Sequence, residues 1–446
     1  MTDIAPPAAR PTFAEALRVW AKVGLLGFGG PAGQIALLHR EVVEIRGWIS
    51  EARFLHALNF CMLLPGPEAQ QLATYLGWML HGTRGGVAAG TLFVLPGFLV
   101  ILALSTFYAL FRSTTWVDGL FFGLKAAVLA VVAEALLKVA RRALKGRAAL
   151  ALALVAFAAL FVFAVPFPLV VLGAGLFGFL AARLAPGRFF VAGATGGATE
   201  AVAAARPDDG LGAALRTLLV WGGVWAAPAL VVVAIFGLGS TFATLAGYFS
   251  QMAVVTFGGA YAVLAWVSQA AVESFGWLAP GEMVDGLALA ETTPGPLILV
   301  LAFVGFLAGF RDPAGLAPLL GGVLGAAITT WVTFAPSFLW IFLGAPHVER
   351  LRGNRGFAAA LAAIGAAVVG VIGNLALWFA LHVLFREVGR FDLGPLSFAV
   401  PVPTSLDPEA LGLVVVAFVA LFRVRLGLLA TLSLCGGLGL ALRAIG

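Results

Sequence analysis

Charged residues are scarce in this 446-residue chain. Only 11% are Asp, Glu, Lys or Arg, against about 25% in an average soluble domain. Together with an apolar content of 61% and recurring apolar runs of about 20 residues, this scarcity excludes a soluble globular protein. The apolar runs are too long and too seldom alternating for a β-barrel. The predicted fold class is therefore all-α, a polytopic integral membrane protein.

Cysteine and the common catalytic motifs are also nearly absent. Cys61 and Cys435 both lie inside apolar runs, which excludes a disulfide framework or a metal-ligand cluster. No Ser-His-Asp set, phosphate-binding Gly-Lys-Thr loop or CxxC motif is present, so neither ATP hydrolysis nor redox catalysis is indicated. We predict no enzymatic activity, no cofactor and no metal. The net charge of +6 indicates basic cytoplasmic loops and anionic lipid rather than nucleic acid.

An internal repeat is the strongest feature that is present. Three motifs recur at a constant offset of 229 residues, and two half-units of this kind are a common plan for transporters. Phe28-Gly29-Gly30 recurs as Phe257-Gly258-Gly259, Gly47-Trp48 as Gly276-Trp277, and Pro65-Gly66-Pro67 as Pro294-Gly295-Pro296. We expect a tail over 1–12, a first repeat over 13–184, a connector over 185–211, a second repeat over 212–390, and a C-terminal loop and helical hairpin over 391–446.

Basic residues change sides between the two copies. Arg40, Arg46 and Arg53 follow the first Phe-Gly-Gly, whereas the matching stretch 260–283 has no Lys or Arg. Near Arg112 the imbalance is reversed, and the second copy carries the more basic loop. By the positive-inside rule, this pattern predicts an inverted repeat, with the two halves inserted in opposite orientations.

Two segments are predicted to be broken, re-entrant hairpins. Residues 52–82 begin and end near basic residues and carry Pro-Gly-Pro near their middle, and the 13 residues before that motif reach only about 20 Å into a core of about 30 Å. A second hairpin, broken at Phe-Gly-Gly, is predicted over 13–46. The alternative, in which 13–30 and 57–80 are full spans, stays open. Ordinary spans are expected near 86–110, 118–139, 148–164, 167–183 and 213–236, and a further hairpin near 411–444.

The breaks are candidate anion sites. A helix that restarts inside the membrane directs free N–H groups and its positive dipole end at the midplane, and here restarts are expected at Pro31, Glu68, Ala260 and Leu297. Alternatively, the glycine pairs allow close helix packing and the prolines only kink helices. The candidate substrate-binding residues are Lys22, Phe28, Gly29, Gly30, Pro31, Pro65, Gly66, Pro67, Phe257, Gly258, Gly259, Thr292, Thr293, Pro294, Gly295 and Pro296.

Charges within apolar runs form a second group of candidates. Lys22 precedes the first Phe-Gly-Gly and either attracts a dianion or extends to the membrane interface. Glu68, Glu134 and Glu291 are candidates for proton coupling or gating, because buried carboxylates can carry protons. For Glu68 the alternative is a charge that stabilises a helix N-terminus. Lys125 is about 13 Å from Glu134 along one helix, too far for direct pairing.

These motifs resemble those of the CHR family of chromate ion transporters in its two-domain form. The resemblance rests on Gly27-Phe28-Gly29-Gly30-Pro31, on Glu44 with Gly47-Trp48, on Pro65-Gly66-Pro67, and on their second copies. It implies two halves of opposite orientation in a bacterial inner-membrane protein that exports chromate, confers chromate resistance and uses the proton motive force. The second copy departs from the pattern at Ala260 and Leu297, so we expect unequal contributions from the halves.

Other functions remain open from the sequence. The same scaffold could carry sulfate or another oxyanion, or could work in the direction of uptake in place of export. A membrane subunit that anchors an enzyme complex is a further alternative, although large soluble loops are scarce. The expected partners are chromate or sulfate, protons and the lipid bilayer, and base rates suggest a homodimer.

Overall fold

The structure, a computed structural model, describes residues 11–184, 210–257, 259–345, 355–394 and 396–445. Nearly all of the expected tail over 1–12, nearly all of the expected connector over 185–211, and the candidate residue Gly258 lie outside the described residues.

The first half consists of short helices followed by long ones. Thr12 and Ser50 cap two of the short helices by accepting hydrogen bonds from backbone amides in the first turn. A π-helical turn, Arg40–Glu44, follows the second helix directly. The helices are α1 (Phe13–Leu26), α2 (Gly30–His39), α3 (Glu51–Cys61), α4 (Glu68–Phe111), α5 (Thr115–Ala143), α6 (Arg147–Phe161) and α7 (Phe167–Leu184).

From α9 onward, the second half repeats this order of short helices followed by long ones. Its third short helix is followed by a 3₁₀ turn, Leu297–Leu299, and a second π-helical turn, Ala270–Ser274, occupies the position that matches the first. The helices are α8 (Leu211–Phe236), α9 (Thr241–Val255), α10 (Ala260–Gln269), α11 (Pro280–Thr292), α12 (Val300–Arg311), α13 (Pro318–Gly344) and α14 (Arg355–Leu384).

Helix α4 is bent back on itself. At 44 residues it would extend about 66 Å if straight, far beyond the thickness of a bilayer core. His81 and Gly82 have non-helical backbone angles, and the helix folds there so that Gly77 packs directly against Gly85. Phe60 of α3 contacts Tyr75 of the returning arm. The hairpin predicted over 52–82 is therefore present, and 57–80 is not one continuous span.

The segment 13–46 also turns back. Lys22, near the end of α1, contacts Glu41, which follows α2, with 2.8 Å between Nζ and Oε1. A continuous helix would separate these residues by about 28 Å. The alternative of a straight span over 13–30 is therefore wrong, because the chain breaks at Gly27 and returns.

Seven helices among the described residues are long and apolar enough to cross a membrane. The prediction of an all-α, polytopic membrane protein with broken helices is confirmed. The seven helices are α4, α5, α7, α8, α13, the part of α14 from Gly356 to Leu384, and the C-terminal helix α16 described next; α6 is apolar but shorter.

The C-terminal region contains a feature that the sequence analysis missed. Strands β1 (Val388–Leu393) and β2 (Leu396–Pro401) pair antiparallel in a small hairpin. Helices α15 (Pro408–Phe418) and α16 (Leu428–Ile445) then form the predicted helical hairpin, which packs on α5. Arg443 near the end of α16 lies 3.7 Å from Glu409 at the start of α15, which shows that the two helices are antiparallel.

Candidate anion-binding site

The Phe-Gly-Gly breaks need backbone angles that favour glycine. Gly29 and Gly30 have φ of +84° and +70°, and Gly259 in the second copy has φ of +92°. L-residues with a side chain rarely adopt this left-handed region. Pro31 then follows in the first turn of α2, where its missing N–H is not needed by the helix. The repeated glycines are thus explained by the direction that the chain takes at each break.

Each Pro-Gly-Pro break binds the Phe-Gly-Gly break of the other half. The Gly66 amide donates a hydrogen bond to the Thr256 carbonyl at 2.9 Å, and the Gly295 amide donates to the Gly27 carbonyl at 3.0 Å. The two donors are 229 residues apart in the sequence, as are the two acceptors. The structure therefore contains two equivalent junctions, each built from both halves.

The junctions are tightly packed in places. A Cβ atom on Gly97 of α4 would lie 2.2 Å from the Pro294 carbonyl oxygen, and one on Gly24 of α1 would lie 2.0 Å from the Leu92 carbonyl oxygen. By contrast, a Cβ on Gly29 or Gly30 would have no described atom within 4 Å. Close backbone approach is therefore a property of Gly24 and Gly97, whereas Gly29 and Gly30 are required for their angles alone.

The helices that restart at the junctions begin without side-chain caps, a property that they share with some helices that begin in loops, such as α5, α6 and α13. Thr12, Ser50, Ser240 and Asp407 cap loop-derived helices with side-chain oxygens. Among the described residues, no side chain caps the restarting helices α2, α4 and α10 or the turn at Leu297. These four starts keep amide donors available, which is the arrangement that binds anions at helix N-termini.

Two buried glutamines hold the junctions. Gln34 Nε2 donates to the carbonyl oxygens of Gly27 and Gly295, and Gln71 Nε2 donates to the Pro65 carbonyl at 2.7 Å. Ser337 lies beside Gln71, at 3.5 Å from the same nitrogen. Gln34 and Ser337 were missed from the sequence. A polar residue four positions after a break, on the buried face of the restarting helix, is the signal that could have revealed Gln34.

A further side-chain amide at the first Pro-Gly-Pro break, that of Gln70, has no hydrogen-bond partner among the described residues. Gln70 is fully buried in the first turn of α4, and neither its Oε1 nor its Nε2 has a hydrogen bond within the described part of the chain. An unsatisfied buried polar group costs about 1–3 kcal/mol, so a bound polar ligand or water would be favoured there.

The other candidate residues are distributed unevenly. Phe28 is 37% exposed, whereas the second Pro-Gly-Pro is buried. The hydroxyls of Thr292 and Thr293 donate to the Leu289 and Ala290 carbonyls of their own helix, which leaves them as acceptors only. The candidates Pro65 and Pro67 are partly buried beside Gly66, and Phe257 and Pro296 flank the opposing breaks.

Lys22 has a protein partner. Its ammonium group pairs with the fully buried carboxylate of Glu41, which also accepts a hydrogen bond from Arg46. The sequence analysis treated Lys22 as unpaired and did not identify Glu41. The three residues together carry one net positive charge near the first Phe-Gly-Gly break.

The three candidate carboxylates have different surroundings. Glu291 is 5% exposed and accepts a hydrogen bond from the Tyr261 hydroxyl at 2.6 Å. Glu134 of α5 pairs with Lys138 at 2.7 Å, and both lie within electrostatic range of Glu291. Glu68 has no hydrogen bond or ion pair among the described residues. The structure thus places Glu134 within electrostatic range of Glu291 and places Glu68 apart, at the start of α4.

Lys125 pairs with a carboxylate that the sequence analysis did not select. As expected, it does not reach Glu134, and its Nζ lies 3.5 Å from Asp285 Oδ1. Asp285 is fully buried in α11, among apolar neighbours in sequence. A charge within an apolar helix is the signal that could have found it.

Comparison with known proteins identifies a family. The chromate transporter family model matches residues 14–179 and 243–440 of this chain. The chain is also similar to a chromate transport protein of Pseudomonas aeruginosa, with 33% identity over 402 residues, covering 89% of this chain and 88% of the relative.

Two more relatives extend the similarity. A probable chromate transport protein of Synechococcus elongatus is 29% identical over 367 residues, covering 82% of this chain and 83% of its own. A chromate transport protein of Cupriavidus metallidurans is 27% identical over 379 residues, covering 81% of each chain. No solved structure matches the chain. The family match covers both halves and both kinds of break, and the chain therefore belongs to the chromate transporter family.

Proposed function

We propose that this protein exports chromate from the cytoplasm across a bacterial inner membrane and thereby confers chromate resistance. The observation that carries the proposal is the reciprocal pairing of the breaks, which places helix starts without side-chain caps at both junctions. The names of the relatives supply the anion. Chromate is a tetrahedral oxyanion with oxygens on every side, so it accepts hydrogen bonds from several helix starts at once.

Opposite insertion of the halves is part of the proposal. At the start of α1, Phe13 contacts His81, which marks the side where the first half begins. The far end of α4 carries Tyr108, which binds Asp285 near the start of α11 in the second half. The arm of α4 that follows the bend at His81 therefore runs from the side where α1 begins to the side where α11 begins. This course supports two inverted repeats, with alternating access around the junctions.

The cytoplasmic side is assigned from charge. The end of α5, the turn that follows it and the start of α6 hold the densest basic cluster, which the positive-inside rule assigns to the cytoplasm. Its members are Lys138, Arg141, Arg142, Lys145 and Arg147. On this assignment an inside-negative potential assists export, by about 2.3 kcal/mol per charge per 100 mV.

Proton coupling is proposed for the carboxylates. Glu291, with Tyr261 and Glu134 beside it, lies three residues before the second Pro-Gly-Pro, and Glu68 directly follows the first. Protonation of either group would act on the neighbouring junction through the helix that joins the group to that junction. We propose proton–chromate antiport on this basis, with Glu68, Glu134 and Glu291 as the candidate proton carriers and Lys22 as a source of attraction for the anion.

Sulfate transport is the second candidate, because sulfate has the same shape and charge. The anchor-subunit alternative receives no support from the paired, duplicated breaks. Accumulation of labelled chromate and of labelled sulfate in inverted membrane vesicles separates the three. We expect chromate uptake that an imposed proton gradient stimulates and that Gly30→Val abolishes. Uptake of sulfate alone would show that sulfate, and not chromate, is the substrate. Uptake of neither anion would refute transport of both.

A further inference from the structure

A cavity of 190 Å³ lies where the C-terminal β-hairpin meets the second repeat. Its walls come from the last turn of α6, the end of α10 with the π-helical turn after it, the C-terminal half of α14, and both strands of the hairpin. Because a water molecule takes up about 30 Å³, the cavity has room for about six waters or for a small organic molecule. No residue of the two junctions lines it, so it is a site apart from them.

The polar side chains of the wall present mainly hydrogen-bond acceptors. The Ser268 hydroxyl donates to a carbonyl of its own helix at 2.6 Å, and Gln269 Nε2 is directed at Glu273 at 3.4 Å, which leaves the Gln269 Oε1 as an acceptor. His382 Nδ1 lies 2.9 Å from the Trp378 carbonyl, so Nδ1 carries the proton and Nε2 of the neutral ring is an acceptor. A ligand that donates hydrogen bonds is therefore favoured over one that accepts them.

Glu273 is the carboxylate of the cavity, and it shares its cationic partner. Arg390 Nη1 lies 3.7 Å from Glu273 Oε2, an ion-pair distance that is too long for a hydrogen bond. The same guanidinium donates from Nε to Ser397 at 2.8 Å and lies 3.5 Å from Asp392, so it is held by the hairpin. One arginine thus faces two carboxylates, and no other Lys or Arg among the described residues lines the cavity. The cluster keeps one net negative charge, with hydrogen-bonding capacity left on Glu273.

The first repeat fills the equivalent place with a histidine. Glu44 matches Glu273 by the 229-residue offset, and it contacts His39 Nδ1 at 2.9 Å. The residue that matches His39 is Ser268, whose short side chain bonds to its own helix. Glu273 therefore lacks the imidazole that its counterpart contacts, and both Glu273 and Ser268 face the cavity.

Aromatic rings complete the wall. Phe161 of α6, Trp378 of α14 and Phe398 of β2 line the cavity, and the ring centroids of Phe161 and Phe398 are 6.0 Å apart. Aromatic faces attract cations through the quadrupole of the ring. A bare metal cation instead needs oxygen ligands on most sides, which the rings do not supply. The cavity also lies near the ends of α6 and α14, where apolar helices meet the lipid headgroups.

We propose that this cavity binds a primary ammonium group, supplied by a small organic amine or by the headgroup of an aminophospholipid. The ammonium carries one positive charge, which compensates the cluster, and three N–H donors, which match the acceptors on Glu273, Gln269 and His382. The Asn374 amide makes no hydrogen bond within the described part of the chain and adds a further acceptor. A quaternary ammonium has the charge but no N–H donor, so the site discriminates against it. Binding here is independent of chromate transport.

Calorimetric titration of the purified full chain with ethanolamine tests the site. Nanodiscs of phosphatidylglycerol alone contain no lipid amine, so the added probe has no competitor. We expect one ethanolamine to bind per chain, and choline at the same ionic strength to bind more weakly. Glu273→Gln removes the charge and should weaken ethanolamine binding about tenfold. Glu387→Gln is the matched control, because Glu387 is exposed directly before β1 and does not line the cavity.

Two results overturn the site: no saturable ethanolamine binding to the wild type, or equal binding by the wild type and Glu273→Gln. If Glu273→Gln fails to fold, Ser268→His decides, because it places the imidazole of the first repeat beside the glutamate. We expect Ser268→His to lose ethanolamine binding, and retained binding overturns the site.

Nanodiscs that contain phosphatidylethanolamine identify the source of the ammonium group. Loss of ethanolamine binding by the wild type in these discs assigns the cavity to the lipid headgroup. Unchanged binding in them assigns it to a free amine.

Discussion

The Gly66 amide and the Thr256 carbonyl, 2.9 Å apart, join a break in the first half to a break in the second. The equivalent bond from Gly295 to Gly27 crosses in the opposite direction. Each half thus supplies one donor and one acceptor, and neither half contains a complete junction. A movement of one break must therefore be transmitted to the other half, which is the kind of linkage that alternating access requires.

Replacement of Gly30 by valine tests the need for left-handed backbone. At φ of +70° a β-branched residue is strained by about 1–3 kcal/mol, although a Cβ would have open space. We expect Gly30→Val to insert normally and to lose at least 90% of chromate transport in vesicles. Gly222→Val in α8 is the matched control, because Gly222 also has open space but has ordinary helical angles. Equal transport by both variants at equal expression removes the first break from the site.

Labelling of single cysteines tests the inverted repeat. Arg46→Cys and Phe275→Cys occupy positions related by the 229-residue offset. We expect an impermeant thiol reagent to reach them from opposite faces of the membrane, because the proposal inserts the two halves in opposite directions. The native Cys61 and Cys435 are fully buried and should give little background. Reaction of both positions from the same face means a parallel duplication.

Substitutions at Lys22 and Glu41 test the charge beside the first break. Lys22→Gln leaves Glu41 paired with Arg46 and removes one positive charge, so the apparent KM for chromate should rise several-fold with little change in maximal rate. Glu41→Gln has the opposite effect on charge and should lower the apparent KM in protein that folds. Because the two variants change the local charge in opposite directions, each serves as the control for the other. Unchanged KM in both would show that the ion pairs only stabilise the hairpin.

The carboxylate variants Glu68→Gln and Glu291→Gln test proton coupling. Glutamine keeps the size and accepts hydrogen bonds but cannot exchange a proton. If one of these glutamates carries the coupled proton, its glutamine variant should still bind chromate but should lose the dependence of transport on external pH. In Glu291→Gln the amide oxygen can still accept from the Tyr261 hydroxyl, so the local structure should be retained. If neither variant changes the pH profile, the role passes to Glu134, or export is driven by the membrane potential alone.

Asp407 lies outside the membrane-spanning helices. We expect it to contribute to stability at neutral pH and to lose this contribution at acidic pH. Burial acts to raise the pKa of Asp407, but hydrogen bonds from the Ala410 and Glu409 amides and from Arg386 hold it below the ordinary value of 3.8. A lowered folded pKa stabilises the protein above pH 3.8, and this contribution is lost as the pH falls through the folded pKa.

The matching variant is Asp407→Ala, which removes the cap of α15. We expect it to lower stability by about 1 kcal/mol near neutral pH. Its thermal unfolding should also change less between neutral and acidic pH than that of the wild type, as followed by size-exclusion chromatography after heating. An identical acid response in both proteins contradicts the role given to Asp407.

The positions of the breaks were predictable because glycine and proline act locally. Gly30 and Gly66 fix unusual backbone angles wherever they occur, and their repetition at one offset showed that two copies exist. The pairing of Gly66 with Thr256 was not predictable, because it joins residues 190 positions apart through the arrangement of many helices. Reciprocal contact between unlike motifs leaves no periodic signal in a single sequence.

The ion-pair partners of charged residues also could not be predicted from the sequence. Lys22 lies 19 positions from Glu41, and only the turn at Gly27 brings them together. Asp285 was missed because it lies nine positions before the second Pro-Gly-Pro, although its place within an apolar helix was a valid signal. The β-hairpin formed by Val388–Leu393 and Leu396–Pro401 was missed because the segment before the C-terminal helical hairpin was interpreted as a loop.

The helix starts without side-chain caps also have a consequence for the charge of the anion that the junctions can neutralise. Each helix N-terminus carries roughly half an elementary positive charge, so one junction with two starts carries about one and the two junctions together about two. A single junction can neutralise a monovalent anion, whereas a divalent anion is neutralised only when both junctions contribute. On the proposed mode of binding, the backbone itself would discriminate between singly and doubly charged oxyanions, because both halves would act on one ion at the same time.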